Sequence, residues 1–181
     1  MRQGDEAGSE KTSPIVLVSW ETIEHLTLTL ASRLLADGKP DVLVCLQRGG
    51  LIPGVLLSHH LAVSEMLTVP IRRTTSDAAY ADKQAPVLVV PEQASQLTGK
   101  DVVLVDDIVG SGETMHAVRS VLAAFHPHRL RAAIYLVNLN HWEHAHCYPP
   151  EQEITYIGQT IRAWAVFPWE RNARSCVAQE G

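Results

Sequence analysis

The sequence predicts an α/β domain built on a mainly parallel sheet, and three observations carry that expectation. Val42-Leu43-Val44-Cys45-Leu46 and Val102-Val103-Leu104-Val105 are continuous apolar runs, which suit strands buried on both faces, and Leu130 to Val137 reads as a further strand. Stretches with helical spacing of apolar residues stand between such runs, the alternation expected of parallel strands with crossover helices. The chain has 181 residues and is 46% hydrophobic, enough for one domain with a substantial core.

Residues 1–14 are polar and mixed in charge and read as a flexible tail ahead of a single domain, 15–181. They lack the apolar core of a signal peptide, and no run in the chain approaches the ~18 apolar residues of a membrane span, so a cytoplasmic protein is expected. Ile15 to Val18 is a short apolar run. Ser19 is then an N-cap, Glu21 lies in the first turn, and Ile23, Leu26, Leu30 and Leu34 mark one helical face that stops at Gly38. After the strand at 42–46, a second helix runs from near Pro53 to Leu61. Met66 to Ile71 is a strand, 72–85 a long polar loop, and Pro86 to Val90 a short strand. The strand at 102–105 is followed by a helix from Gly112 to Phe125, then the strand Leu130 to Val137, and Trp164 to Phe167 is the last strand. The net charge, 15 − 20 = −5, argues against a broad nucleic-acid-binding surface but leaves room for a local anion pocket. Cys45, Cys147 and Cys176 are few and far apart, which does not suit a disulfide framework.

The stretch from Val102 to Met115 is the most informative. A buried strand leads into two adjacent carboxylates, Asp106 and Asp107; Gly110, Ser111 and Gly112 make a short loop, and a helix starts after it. Ligands bind at the carboxyl ends of strands in open parallel sheets, and a helix N-terminus there offers free N–H groups to phosphate. Gly110 and Gly112 let the backbone come close to an anion, and Ser111 and Thr114 add hydroxyls. A P-loop is excluded because Glu113 follows Gly112, and a dinucleotide fingerprint because Met115 stands at its third small position. Two acids beside a phosphate cradle repel a bare polyphosphate. They fit sugar hydroxyls, whose hydrogen bonds they accept, or Mg2+ held through water.

This segment resembles the signature of type I phosphoribosyltransferases. The resemblance implies that Asp106 and Asp107 hold the ribose hydroxyls of phosphoribosyl pyrophosphate, and that Gly110, Ser111, Gly112, Glu113 and Thr114 bind its 5′-phosphate. Leu46-Gln47-Arg48-Gly49-Gly50-Leu51-Ile52-Pro53 resembles the family's pyrophosphate loop, which assigns Arg48, Gly49 and Gly50 to the leaving group; an arginine can donate a bidentate pair to phosphate oxygens. Family members often carry a cis peptide in this loop, and Gln47–Arg48 is the matching bond. Tyr156-Ile157-Gly158 and Trp164-Ala165-Val166-Phe167-Pro168-Trp169-Glu170 are similar to the base-binding segment of the xanthine–guanine branch. Trp164 and Ala165 match its base-holding positions, and Glu170 matches a terminal acid that could join Asp106 and Asp107 at the metal.

Two positions depart from that branch. Gly110 stands where an aspartate near purine N7 is typical, and Asn138 stands where a lysine recognises the 6-oxo group; the chain has no lysine after Lys100. Asn138 is therefore the expected neutral base contact, with Arg162 and Arg171 as the next candidates, and either 6-oxopurines are expected to be poorer substrates here than in that branch or the true base is a modified one. Arg72 and Arg73 are candidate pyrophosphate contacts, and Ser76 and Tyr80 candidate members of a closing loop. His141, His144, His146 and Cys147 are zinc-ligand types, but their spacing fits no standard closed site and reads as a surface loop.

The resemblance implies a five-stranded, mainly parallel sheet flanked by helices, with a small C-terminal hood. It implies Mg2+-dependent displacement of pyrophosphate by a nucleobase, most simply a purine, with Asp106, Asp107 and Arg48 as the catalytic groups. Homo-oligomers are common among relatives, and neither a membrane nor a nucleic acid is expected as a partner. The alternative is a regulatory protein that senses phosphoribosyl pyrophosphate or a nucleotide without turning it over.

Overall fold

A computed structural model describes residues 14–72, 87–88 and 92–170. Its strands are Ile15–Leu17 (β1), Val42–Gln47 (β2), Met66–Arg72 (β3), Val87–Leu88 (β4), Asp101–Val109 (β5), Arg129–Asn138 (β6), Tyr156–Ile161 (β7) and Trp164–Val166 (β8). Its α-helices are Trp20–Ala36 (α1), Leu51–Leu61 (α2), Glu113–Ala123 (α3) and Leu139–Ala145 (α4).

The main sheet has the order β4-β3-β2-β5-β6-β7. β3, β2, β5, β6 and β7 are parallel to their neighbours, and the two-residue β4 adds an antiparallel edge. Helices cover both faces, as the two-sided burial of the central strands requires. α1 and α2 place Ile23, Leu26, Leu30, Leu57 and Leu61 against Leu43, Cys45, Val103 and Val105. On the other face, Met115, Val118 and Leu122 of α3 join Val44, Leu104 and Ile134. The alternation of these strand residues between two cores follows the twofold period of a strand. Ser19 caps α1, its side chain accepting from Thr22 N at 3.1 Å, and Gly38, at φ +107°, follows the end of that helix.

The chain moves from β2 outward to β3, then returns to the other side of β2 as β5. The order of strands therefore reverses between β2 and β5, which opens a crevice at their carboxyl ends. The first and last strands of the described residues form a separate ribbon. β1 pairs in parallel with β8, with Ile15 opposite Trp164 and Leu17 opposite Val166, so the hood is a two-stranded ribbon drawn from both ends of the described chain.

Several expectations need correction. β5 does not stop before the acids; it runs through Asp106 and Asp107 to Val109, paired with β6. β7 was absent from the expected strands because it is an edge strand, half exposed and interrupted by Gly158, with no continuous apolar run. The histidine-rich stretch is a short helix, α4, rather than a loop. Its only buried residue is Trp142, too little for a visible helical face. The expectations for residues 1–13, Arg73, Ser76, Tyr80, Arg171 and Cys176 lie outside the described residues. Among the described residues, no helix is long and apolar enough to cross a membrane.

Candidate active site

The two glycine-containing loops leave neighbouring strands, and the structure packs them together. A Cβ on Gly49 would lie 2.2 Å from Asp107 Oδ1, and one on Gly50 would lie 2.3 Å from the Val105 carbonyl oxygen. No residue larger than glycine fits at either place without displacing β5. The loop after β2 thus rests on the second carboxylate of β5, and segments about sixty residues apart share one crevice. Arg48 is exposed at the start of this loop, and the Gln47–Arg48 peptide is cis.

Asp106 and Asp107 differ in surroundings. Asp106 is half-buried and its Oδ1 accepts from Asp107 N at 3.0 Å. Asp107 is only 7% exposed, and its Oδ1 accepts from Ile108 N at 2.7 Å. Burial pushes the Asp107 carboxyl up to about 6; the Ile108 N–H pulls it down, and the negative charge of Glu170 pushes it up again. Glu170 is therefore near the acid pair. Its own Oε2 accepts from Phe167 N at 2.9 Å.

This donor set fits Mg2+. The oxygens are hard, and a buried carboxylate crowded by another acid gains from a cation. Among the described residues, no three His, Cys, Asp or Glu side chains converge as a protein metal cage. An ion here would share its sphere with water and substrate oxygens, the usual habit of Mg2+. The same observation gives no support to zinc at His141, His144, His146 and Cys147.

Gly110, Ser111 and Gly112 form the turn from β5 into α3. Gly112 has φ +76°, and a Cβ there would meet the Trp142 ring at 2.8 Å, so conformation and space both require glycine. Glu113 and Thr114 open α3 directly after this turn, and a helix N-terminus in that position suits an anion. A Cβ on Gly110 would lie 3.1 Å from His141 Nδ1, so α4 flanks the start of the loop, a neighbour that sequence spacing did not reveal.

The hood supplies the aromatic surface. Trp164 is 60% exposed although it belongs to a strand, whereas Ala165 points inward and is buried. Trp164 N donates to Pro14 O at 2.7 Å, which fixes the backbone and leaves the indole face open. Trp169 is half-buried, stacked on Phe167 with ring centroids 4.7 Å apart.

The expectation that Asn138 faces the base is not met. Its side chain is buried; Nδ2 donates to Ala163 O at 2.9 Å and Oδ1 accepts from Asn140 N at 3.1 Å. Asn138 is the N-cap of α4 and a tie to the hood, and its polar groups are spent on that. Arg162 is paired with Glu143 rather than free for a base. Arg131 is buried near the start of β6 with Asp101, Tyr156 and Gly38 O.

Residues 19–173 match the phosphoribosyl transferase domain family. The chain belongs to that family. It is 26% identical over 159 residues to a xanthine-guanine phosphoribosyltransferase of Ruegeria sp., covering 84% of each protein. It is 28% identical over 162 residues to the enzyme of the same name from Cereibacter sphaeroides, covering 84% of this chain and 85% of that one. Among solved structures, a purine phosphoribosyltransferase from Pyrococcus horikoshii superposes with a TM-score of 0.70 at 26% identity, covering 87% of this phosphoribosyltransferase-family chain and 95% of its own. The xanthine-guanine-hypoxanthine phosphoribosyltransferase of Helicobacter pylori shares the fold, with a TM-score of 0.70 at 23% identity over 91% of this chain and 99% of that one.

Proposed function

We propose that this protein transfers the phosphoribosyl group of phosphoribosyl pyrophosphate to a ring nitrogen of a purine, forming a nucleoside 5′-monophosphate and releasing pyrophosphate. The observation that carries the reading is the contact between Gly49 and Asp107. It joins an Arg-Gly-Gly loop, suited to a leaving pyrophosphate, to a carboxylate pair suited to ribose hydroxyls, beside a phosphate-binding helix start.

In the bond exchange, the purine nitrogen bonds to C1′ as the C1′–oxygen bond to pyrophosphate breaks, the electron pair leaves with that oxygen, and the imidazole-ring N–H proton of the purine passes to water. Positive charge grows on the ribose and negative charge on the leaving group. Arg48, through its guanidinium, offsets the latter. Asp106 and Asp107 accept the ribose hydroxyl hydrogens and stand as negative charges beside the developing cation. Gly110, Ser111, Gly112, Glu113 and Thr114 hold the 5′-phosphate, so that only C1′ is left to move. Trp164 and Ala165 form the base site, the indole as a flat platform. Asp106, Asp107 and the nearby Glu170 are the oxygen donors that would hold Mg2+ through water, where the ion supplies further charge neutralisation for pyrophosphate. Asn138 is tied to the hood and supplies no base contact, Gly110 and the missing lysine remain departures from the xanthine–guanine branch, and the names of the relatives favour a purine as the acceptor.

Calorimetric titration with phosphoribosyl pyrophosphate tests the site. Asp107→Ala leaves ribose hydroxyls without acceptors and should weaken binding by about 1–3 kcal/mol, with the fold retained. Unchanged affinity in Asp107→Ala refutes the assignment.

A further inference from the structure

α4 and the turn after it lie directly beneath the proposed 5′-phosphate loop. His146 Nε2 is 2.9 Å from the Ser111 carbonyl oxygen. A carbonyl oxygen only accepts, so Nε2 carries the proton in this contact. The imidazole is held on two sides, with ring centroids 4.4 Å from Trp142 and 4.8 Å from Tyr148. Trp142 is fully buried, donates through Nε1 to Tyr148 O at 2.8 Å, and fills the space that a side chain at 112 would need. At its other end, α4 is tied to the hood by Asn138 and by Asn140, whose Nδ2 donates to Arg162 O at 3.2 Å. The imidazole is thus a donor at the C-terminal cap of a braced helix, held by its ring neighbours against one peptide of the loop.

That peptide matters because it is trans, so its carbonyl and its N–H point in opposite directions. Drawing the Ser111 oxygen down toward His146 turns the Gly112 N–H up toward the crevice. We propose that His146 is a positioning residue for the 5′-phosphate site: its imidazole N–H fixes the Ser111–Gly112 peptide plane and so presents the Gly112 amide to the anion. The proposal rests on the phosphoribosyl reading of the loop. It gives α4 a task in substrate binding that neither acids nor glycines supply.

His146→Phe keeps the aromatic stack and removes the donor. Ribose 5-phosphate and pyrophosphate, titrated separately by calorimetry, report the two anion sites, and steady-state kinetics report KM for each substrate. His146→Phe should bind ribose 5-phosphate roughly five- to tenfold more weakly, the loss expected for one hydrogen bond. Pyrophosphate affinity and KM for the purine should stay unchanged, and His146→Gln, which retains an N–H donor, should recover part of the loss. Wild-type affinity for ribose 5-phosphate in His146→Phe overturns the proposal. So does an equal loss for ribose 5-phosphate and pyrophosphate, since that marks general loosening of the fold. Failure of the unmodified protein to bind ribose 5-phosphate at all overturns the phosphoribosyl reading itself, and the proposal with it.

Discussion

Replacing Asp107 by asparagine should make the protein more stable while disabling its site. Asp107 is 7% exposed, and burial raises its carboxyl from 3.8 to about 6. An acid raised in the folded state holds its proton there after the unfolded chain has released it. Between about pH 4 and pH 6 the native state therefore binds more protons, and stability falls as pH rises. A shift of about two units at ~1.4 kcal/mol each amounts to about 3 kcal/mol, fully expressed above pH 7. Asparagine is neutral throughout and keeps an oxygen for the Ile108 N–H. Titrating groups remote from Asp107 behave alike in both proteins and cancel in the comparison. The stability of Asp107→Asn relative to the unmodified protein should thus rise by about 2.5 kcal/mol between pH 4 and pH 7.5, since about 0.5 kcal/mol is already expressed at pH 4. For a chain of this length that corresponds to roughly 5–10 °C in Tm. Urea melts in EDTA at the two pH values, with cations excluded, measure it. A difference that does not change with pH refutes the reasoning that burial of this carboxylate is a standing cost of function.

Trp164→Ala should lose roughly 1–3 kcal/mol of purine affinity, by analogy with base–aromatic stacking, and change KM for phosphoribosyl pyrophosphate little; an equal loss for both ligands in steady-state kinetics would mark a packing role. Gly49→Ala should push Asp107 aside, lower stability by about 1–3 kcal/mol in urea melts and raise KM for phosphoribosyl pyrophosphate more than KM for the purine. Asn138→Lys should destabilise the protein by about 1–2 kcal/mol through loss of the α4 cap, with no gain in kcat/KM for guanine. A gain would return Asn138 to the base site.

The strands and helices that carry long apolar patterns were legible in the sequence, as was the chemistry of residues contiguous in it. Asp106-Asp107 before a small-residue loop, and Arg48-Gly49-Gly50 after a buried run, each state a local requirement that survives in the structure. The cis peptide at Gln47–Arg48 came with the family resemblance and is present. Features set by contact between distant segments were not legible. Asn138 looked available because its position in β6 says nothing of Ala163, which meets it from the hood. The pairing of β1 with β8 depends on three-residue strands that carry too little pattern to identify a partner. α4 buries one tryptophan, so the histidines in and after it read as surface residues, and the contact of His146 with Ser111 O comes only from the fold.

The central claim is that one crevice performs nucleobase-dependent transfer, and product stoichiometry tests it most directly. The protein is incubated with phosphoribosyl pyrophosphate, Mg2+ and, separately, guanine, xanthine, hypoxanthine or adenine. Pyrophosphate and nucleoside 5′-monophosphate are quantified from the same samples. The account predicts equal amounts of the two products with at least one purine, no pyrophosphate without a base, and loss of both products in Asp107→Ala. Tight binding of phosphoribosyl pyrophosphate with no pyrophosphate released for any purine would contradict it and leave a sensor of that ligand in its place.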